Sequence, residues 1–573
     1  MSIKIPRPEH PRPQMRRTAW MNLNGEWQYA TDRGVSGRAR GLAKADSLPE
    51  KITVPFCRES KLSGIGDTDF CEAVWYRREV EIPDDWRESG KRVILHIDAC
   101  DYRTEVWVNG ESVGKHVGGY VSFCFDITDK LKDGAQTITV CAEDHVRAHT
   151  QPAGKQSARY ESYGCFYTRT TGIWQTVWLE SVPRDYIRSV KYYPDIVGKR
   201  LTVEAKCTAE DGMTVRGEAS FEGKSMGVGE ATVVGGHAVF EIKLDELYLW
   251  ELGDGRLYDL KLTLGDDKVE SYFGMRSVSI KDGALLLNGK KVFQRLVLDQ
   301  GFYPDGIYTA PDDYELVSDI LRSMYCGFNG ARLHQKIFEP RFLYHCDRLG
   351  YMVWGEHGNW GLDISRPEAY ANFMPEWLEA LERDFNHPAI VGWCPLNETQ
   401  SNQNNDFVRA LAALTRAYDP TRLYIDASGW RHVEGVTDMM DWHDYDQNPE
   451  TFRARYEAVR DGVPITENKR NSYSILPCFI SEYGGIRWAP DQDGWGYGEA
   501  PKSEEEFIAR FKGLADALLD NPAITGLCYT QLTDVEQEVN GLYTYDRRAK
   551  FDPAIFKAIL TRKAAIEHPF GMQ

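Results

Sequence analysis

Two apolar runs in the C-terminal half of the sequence each deliver a glutamate. Ala389-Ile-Val-Gly-Trp-Cys-Pro-Leu396 leads into Asn397-Glu398, and Cys478-Phe-Ile480 leads into Ser481-Glu482-Tyr483-Gly484. Such a run reads as a buried strand, so its last polar residue stands at the rim of a sheet. Two carboxyls on one rim can divide labour. One, protonated, donates to a leaving oxygen; the other, ionised, attacks carbon. Glycoside hydrolysis with retained configuration needs such a pair about 5–5.5 Å apart. One glutamate alone reads as a rim salt bridge, whereas two in matching contexts point to chemistry.

Other residues can serve that pair. The Asn397 amide is placed to bind a sugar 2-hydroxyl, a bond that strengthens in the transition state; its bland alternative is a turn residue. Tyr445, in Trp442-His-Asp-Tyr445, either donates its hydroxyl to Glu482, keeping that carboxylate ionised, or packs in a loop. Asp299, Arg332, His334, Trp354 and Glu356 are further strand-end candidates for sugar contact. His334, His345, His357, His387 and His443 show no HExxH or other tight spacing, so hydrogen-bonding roles are favoured over a metal. No metal and no cofactor is expected. No GxSxG, Walker loop or GxGxxG at a strand–helix turn is present, which removes support for serine-nucleophile, nucleotide and dinucleotide chemistry.

The elements that must position these residues change character twice along the chain. From about 15 to 182, short alternating segments such as Arg92–Ile97, Thr104–Val108 and Thr137–Cys141 lie between Gly, Asn and Asp turns, the pattern of an antiparallel β-sandwich. Asn109-Gly110 after Glu105–Val108 is a hairpin signal. From about 185 to 275, Leu201–Lys206, Val215–Phe221, Ala231–Leu244 and Leu257–Leu264 fit an immunoglobulin-like sandwich. From about 280, apolar runs alternate with helical stretches such as Asp312–Cys326, Ala369–Phe385 and Glu504–Leu519, which suits a (β/α)8 barrel. The segment 427–477 shows no legible pattern, and strand 6 is not placed. The expected division is 1–183, 184–276 and 277–573.

Composition sets the outer limits. The 573 residues are 42% hydrophobic and 27% charged, as in a soluble globular protein. A net charge of −18 argues against nucleic acid and anionic membranes as partners. The 16 tryptophans fit large cores or, more sharply, stacking on sugar faces. The start, MSIKIPRPEHPRP, has no apolar core of a secretion signal, and the 12 scattered cysteines read as reduced core residues, so a cytoplasmic location is expected.

Taken in order along the chain, these motifs resemble family 2 of the glycoside hydrolases, which includes β-galactosidases, β-mannosidases and β-glucuronidases. Leu23-Asn-Gly-Glu-Trp27, Val106-Trp-Val-Asn-Gly110, Gly118-Gly-Tyr120 with Phe125-Asp-Ile-Thr128, and Thr171-Gly-Ile-Trp-Gln-Thr-Val-Trp-Leu-Glu180 resemble its sugar-binding jelly roll. Gly274-Met-Arg276 resembles the junction into the barrel, and Gly327-Phe-Asn-Gly-Ala-Arg332 the second strand. His387-Pro388 leading to Asn397-Glu398, and Ser481-Glu-Tyr-Gly484, resemble the two catalytic motifs. The resemblance implies a jelly roll, an immunoglobulin-like domain and a TIM barrel. It also implies retaining exo-hydrolysis of β-glycosides, with Glu398 as acid/base, Glu482 as nucleophile and Tyr445 as the nucleophile's partner. A homo-oligomer is implied by analogy.

Two departures bear on the substrate, a small carbohydrate. In the family's glucuronidases an Asn-x-Lys motif after the last strand holds the sugar carboxylate. Its Asn and Lys positions fall here on Glu538 and Asn540, and an acid there repels a uronate. Where relatives carry Trp-Asp on the last strand, this chain has Thr530-Gln531. The leading expectation is therefore a terminal galacto-configured sugar, either a neutral β-galactoside or a β-galacturonide. The alternatives are a β-glucuronidase lacking the usual motif and a non-catalytic sugar-binding protein. A uronate would need a cation in the pocket, for which Arg332, Lys336 and Arg487 are the candidates; Gln531 and Glu538 are expected to shape that pocket.

Overall fold

The computed structural model describes residues 5–400, 402–460, 476–490 and 492–568. The outer ends of the first and third expected domains, and part of the segment without a legible pattern, lie outside that set. The N-terminal part is a jelly-roll sandwich of a four-stranded sheet (Trp20–Asn22, Val177–Pro183, Lys91–Ile97, Phe123–Asp126) and a six-stranded sheet centred on Ala73–Val80 and Gln136–Glu143. Alternation puts Val74, Tyr76, Val93, Leu95, Val106 and Val140 into the layer between them. Burial of each stabilises the sandwich by about 1.5–3 kcal/mol. Asn109 and Gly110 both have positive φ (53° and 80°), as a two-residue turn joining Arg103–Val108 to Glu111–Val117 demands.

The second sandwich packs three strands (Ile187–Asp195, Arg200–Cys207, His237–Lys243) on four (Lys224–Thr232, Thr214–Phe221, Tyr258–Leu264, Asp267–Phe273). The apolar stretch 231–244 is thus two strands of opposite sheets, with Gly235 and Gly236 at positive φ in the turn between them.

Eight parallel strands follow: β1 (Gln294–Asp299), β2 (Gly330–Leu333), β3 (Met352–Glu356), β4 (Ile390–Cys394), β5 (Leu423–Tyr424), β6 (Met440–Asp444), β7 (Cys478–Gly484) and β8 (Ile524–Thr530). Their pairing order runs β5-β4-β3-β2-β1-β8-β7-β6. The seam between β5 and β6 is closed by Asp438, whose N–H donates to the Tyr424 carbonyl at 2.8 Å and whose side chain accepts from the Tyr424 N–H. β6 is the strand missing from the sequence pattern. Trp354 closes the barrel interior from β3, its indole N–H donating to Gln294 at 2.8 Å. Helices between the strands carry side-chain caps: Asp312 for Asp313–Tyr325, Asn404 for Asn405–Tyr418 and Ser503 for Glu504–Leu519. Each cap stabilises by about 1 kcal/mol. No helix among the described residues is long and apolar enough to cross a membrane.

Buried polar contacts fix the domains to one another. Arg17 bonds Glu180 and Asp267, tying the two sandwiches together. Arg276 donates to the carbonyls of Pro388 and Ile390 at the base of β4. The loop 151–171 of the first sandwich lies over the barrel rim. Gly154 donates to the carbonyls of Gly358 and Trp360, both at 3.0 Å. Its φ is +56°, and a Cβ there would stand 2.3 Å from the Gln335 carbonyl, so only glycine permits this approach.

Candidate active site

Glu482 lies on β7, inside the rim, with its side chain 6% exposed. A carboxylate so placed is costly unless paired. Arg332 on β2 supplies the pair: its Nη1 donates to Glu482 Oε1 at 3.1 Å and to the Ser481 carbonyl at 2.7 Å. The same guanidinium bonds Glu356 of β3 at 2.6 Å and the Asn397 Oδ1 at 3.2 Å. The Tyr445 hydroxyl, just past β6, donates to Glu482 Oε2 and lies 3.2 Å from the Thr530 hydroxyl. Tyr497 stacks on the Tyr445 ring at 3.4 Å and holds it in place. Burial pushes the Glu482 pKa up, but the neighbouring charges of His443, His334 and Arg332 and the Tyr445 hydroxyl outweigh it and hold the carboxyl well below its usual range. Burial also pushes Glu356 up and His334 down.

Glu398 follows β4 in a left-handed backbone conformation, φ 48°. A non-glycine residue holds that conformation at a cost of about 1–3 kcal/mol, and surrounding bonds enforce it. Its N–H donates to the Ser428 carbonyl at 2.7 Å, and Ser428 N–H returns to Leu396 at 2.8 Å. Its side chain meets His443 Nδ1 at 2.8 Å, while His443 Nε2 lies 3.4 Å from Glu482 Oε1. Burial lowers the His443 pKa, but the two glutamates together raise it. An oxygen of Glu398 and one of Glu482 are within 4.8 Å of each other. That is on the retaining side of the separation of about 6.5 Å at which inverting pairs begin. Asn397 Nδ2 is buried with no protein partner, so it is free to donate into the space beside the glutamates. Glu398, His443 and Glu482 also form a set of possible cation ligands. His443 Nδ1 already faces Glu398, and Glu482 Oε1 already accepts from Arg332, so protein partners fill these contacts.

A cavity of about 440 Å³ opens on the Glu398 side, lined by Phe166, Trp360, Leu362, Ile364, Gln403 and Trp430. Near Gln531, which follows Thr530 at the end of β8, lies a ring of polar side chains. Glu538 accepts from the Tyr167 hydroxyl and, at 3.0 Å, from Asn540. Asn540 Oδ1 accepts from Gln531, Gln531 Oε1 from Gln300, and Gln300 Nε2 also reaches the Tyr167 hydroxyl at 2.9 Å. Burial pushes the Glu538 pKa up. Beside this ring Lys155 enters from the N-terminal sandwich. Its Nζ lies 4.1 Å over the Trp360 ring, and the Trp360 indole donates to the Asn397 carbonyl at 3.2 Å.

The structure thus brings Glu398, Glu482, Asn397, Tyr445, Arg332, His334 and Glu356 together, with Gln531 and Glu538 in the adjoining wall. Others of the expected residues lie apart. Trp354 is in the barrel interior. Asp299 accepts from Gly301 N–H beneath the rim, with burial raising its pKa to about 6. Lys336 donates to the carbonyls of Gly301 and Tyr308 at 2.6 and 2.8 Å, and burial lowers its pKa to about 7. Arg487 is half-buried beside Gly496. His443, Lys155 and Tyr167 are the additions. His443 stands two residues from Tyr445 and was within reach of the strand-end argument. Lys155 and Tyr167 sit in a loop of another domain, where no local signal marks them.

Three family models match the chain in order: glycosyl hydrolases family 2, sugar binding domain, over 66–183; glycosyl hydrolases family 2 over 186–276; and the family's TIM barrel domain over 278–486. A putative β-glucuronidase of Formosa agariphila is 26% identical over 81% of this chain and 56% of its own length. A β-galactosidase of Thermoanaerobacter pseudethanolicus is 26% identical over 75% of this chain and 58% of its own. The chain therefore spans little more than half the length of these two relatives. The crystal structure of Ruminococcus gnavus β-glucuronidase superposes with a TM-score of 0.80 at 18% identity, covering 98% of this chain and 99% of that one. At that identity the match speaks for the shared fold.

Proposed function

The chain belongs to family 2 of the glycosyl hydrolases, and on that premise we propose that it is a retaining exo-β-glycosidase with Glu482 as nucleophile and Glu398 as acid/base. Glu482 attacks the anomeric carbon while Glu398 protonates the departing oxygen, leaving a glycosyl ester on Glu482. Glu398, now ionised, takes a proton from water, which attacks the same carbon and releases the sugar with its configuration retained. The observation that carries this reading is the close pair of carboxyls in unlike settings. Glu482 is buried and surrounded by donors that favour its ionised form, while Glu398 borders the cavity through which a leaving group departs. His443, between them, lets the charge of one carboxyl follow the other.

Azide separates the two roles. Glu482→Gly should lose turnover and, with azide on an activated aryl β-glycoside, give the α-glycosyl azide. Glu398→Ala on an aryl β-glycoside with azide should give the β-glycosyl azide. Products of the opposite assignment would sink the roles proposed.

For the sugar, the reading is a neutral galacto-configured terminus. Similar proteins are mostly β-glucuronidases, such as those of Rattus norvegicus and Felis catus, with a β-galactosidase among them, so that resemblance by itself leans toward a uronide. Glu538 in the wall favours a neutral sugar, because a uronate would face a carboxylate there. A β-uronide, a galacturonide or a glucuronide, is the second reading, favoured by the Lys155 ammonium beside the same wall. Rates on matched aryl β-galactoside, β-galacturonide and β-glucuronide separate the two. A strong uronide preference would overturn the neutral reading.

A further inference from the structure

A second buried histidine stands close to the catalytic pair without touching it. His432 lies between two equally buried aspartates, its Nδ1 2.6 Å from Asp426 Oδ1 and its Nε2 2.7 Å from Asp441 Oδ1. An imidazole that faces an acceptor at each nitrogen carries both protons. Burial lowers its pKa, but the two aspartates outweigh burial and raise it well above the ordinary value. Asp426 is fixed in turn by the N–H groups of Ala427 and Val433, at 2.9 and 2.6 Å. Asp441 is the reverse case. Burial raises its pKa, while His432, His443 and the Ser481 hydroxyl together lower it. It is a carboxylate, and it can only accept.

Asp441 Oδ2 accepts from the Ser428 hydroxyl at 2.8 Å, the Ser481 hydroxyl at 2.5 Å and the Gly429 N–H at 3.1 Å. A serine hydroxyl has one proton. With that of Ser428 given to Asp441, its Oγ has only lone pairs to offer His443 Nε2, 2.9 Å away. Ser481 Oγ, 3.0 Å from Ser428 Oγ, also draws that proton away from His443. His443 thus faces Glu398 at Nδ1, and Ser428 and Glu482 at Nε2, with Arg332 and His334 within range of its charge. Two acceptors hold a proton at Nε2. Glu482 loses its charge on becoming the glycosyl ester, but Ser428 does not change. The backbone follows the ring closely: Gly429 has φ +95°, and a Cβ there would stand 2.6 Å from His443 Nδ1.

We propose that Asp426, His432, Asp441 and Ser428 form a positioning chain that fixes a proton at Nε2 of His443 and so reserves Nδ1 for proton exchange with Glu398. This rests on the glycosidase reading above. Nδ1 and Glu398 Oε1, 2.8 Å apart, then share one proton. It goes to the leaving oxygen in the first step and is restored by the attacking water in the second. A proton fixed at Nδ1 instead would make that nitrogen a permanent donor to Glu398, which opposes its role as acid.

Asp441→Asn inverts the chain, because an amide N–H can donate to Ser428, whose own proton then turns to His443 Nε2. The wild type, Asp441→Asn and Ser428→Ala are compared across pH on aryl β-glycosides that release dinitrophenol or phenol, with thermal melting as a check of folding. Asp441→Asn is expected to lower kcat/KM about ten-fold or more on the phenyl glycoside, which needs the acid, and little on the dinitrophenyl one. The basic limb of its profile should move to lower pH. Ser428→Ala keeps the Asp426–His432–Asp441 contacts and should move the same limb by less. Nitrogen-15 spectra of histidine-labelled protein read the proton directly, with the His443 signals identified by their loss in His443→Gln. In the wild type, pH should change Nδ1 while Nε2 keeps its proton, and in Asp441→Asn the order should reverse. A folded Asp441→Asn protein with an unmoved limb overturns the proposal, as does equal loss on both leaving groups or a wild-type Nε2 that gives up its proton. If the wild type cleaves no aryl glycoside, the glycosidase reading fails, and the nitrogen spectra alone decide whether the chain fixes the proton.

Discussion

The floor and the wall of the site are built on opposite principles. In the floor, Arg332 serves Glu356 and Glu482 together, Tyr445 serves Glu482, and His443 joins Glu482 to Glu398, so each of these charges has a partner within the barrel. In the wall, amides and one tyrosine form a closed ring with Glu538, while Lys155 has no ion-pair partner among the described residues. A fully paired floor holds its geometry through the reaction and sets the protonation of the two carboxyls. An incompletely paired wall has capacity left for a ligand. The difference implies that disturbing the floor harms stability and catalysis together, whereas disturbing the wall changes what is bound.

The largest effect is expected from Arg332→Met. It leaves two buried carboxylates without their cation, and removing one partner from such a group costs about 3–5 kcal/mol. Denaturant unfolding should record that loss together with abolished turnover; unaltered stability would show that the floor is not held by this residue. His443→Ala is next. It cuts the link between the glutamates and is expected to lower kcat by about 10²-fold with little change in KM. A change confined to KM would place His443 in binding instead.

Tyr445→Phe probes the same floor through pH. The Glu482 pKa is depressed in the folded protein, so its contribution to stability is present above the ordinary carboxylate value and lost as pH falls. Its catalytic role, which needs the ionised form, fades in the same direction. Removing the Tyr445 donor raises that pKa, so the acid limb of kcat/KM against pH should move to higher pH. A limb that stays in place would mean that Arg332 and His443 alone set the ionisation. The smallest effect belongs to the wall. Gln531→Ala opens the amide ring, and its expected cost of about 1 kcal/mol should show as a KM increase of about five-fold with kcat nearly unchanged. A large fall in kcat would erase the contrast between floor and wall.

How much was legible in advance follows the range of the interactions. Asn397-Glu398 and Ser481-Glu482 end apolar runs, and a strand end at a barrel rim is a local property that hydrophobic pattern conveys. The sandwiches and most barrel strands follow from the same periodicity. β6 escaped it because Met440–Asp444 carries Asp441, His443 and Asp444 within five residues. Those polar residues disguise a strand whose side chains pair with Ser428, Ser481 and the glutamates. Arg332, Lys336 and Arg487 were equally eligible cations by type and place in the sequence. One pairs with both floor carboxylates, one donates to two backbone carbonyls, and one lies half-buried to the side.

The sequence by itself determined the three-part architecture and the two glutamates at strand ends. These rest on patterns a few residues long, because side-chain alternation and turn chemistry are local. Only the tertiary structure decided that Arg332 is spent within the floor, that His443 spans the two carboxyls, and that the cation beside Glu538 is Lys155 from another domain. Charge interactions depend on distance in space and on burial, and neither is written in the spacing of residues along the chain.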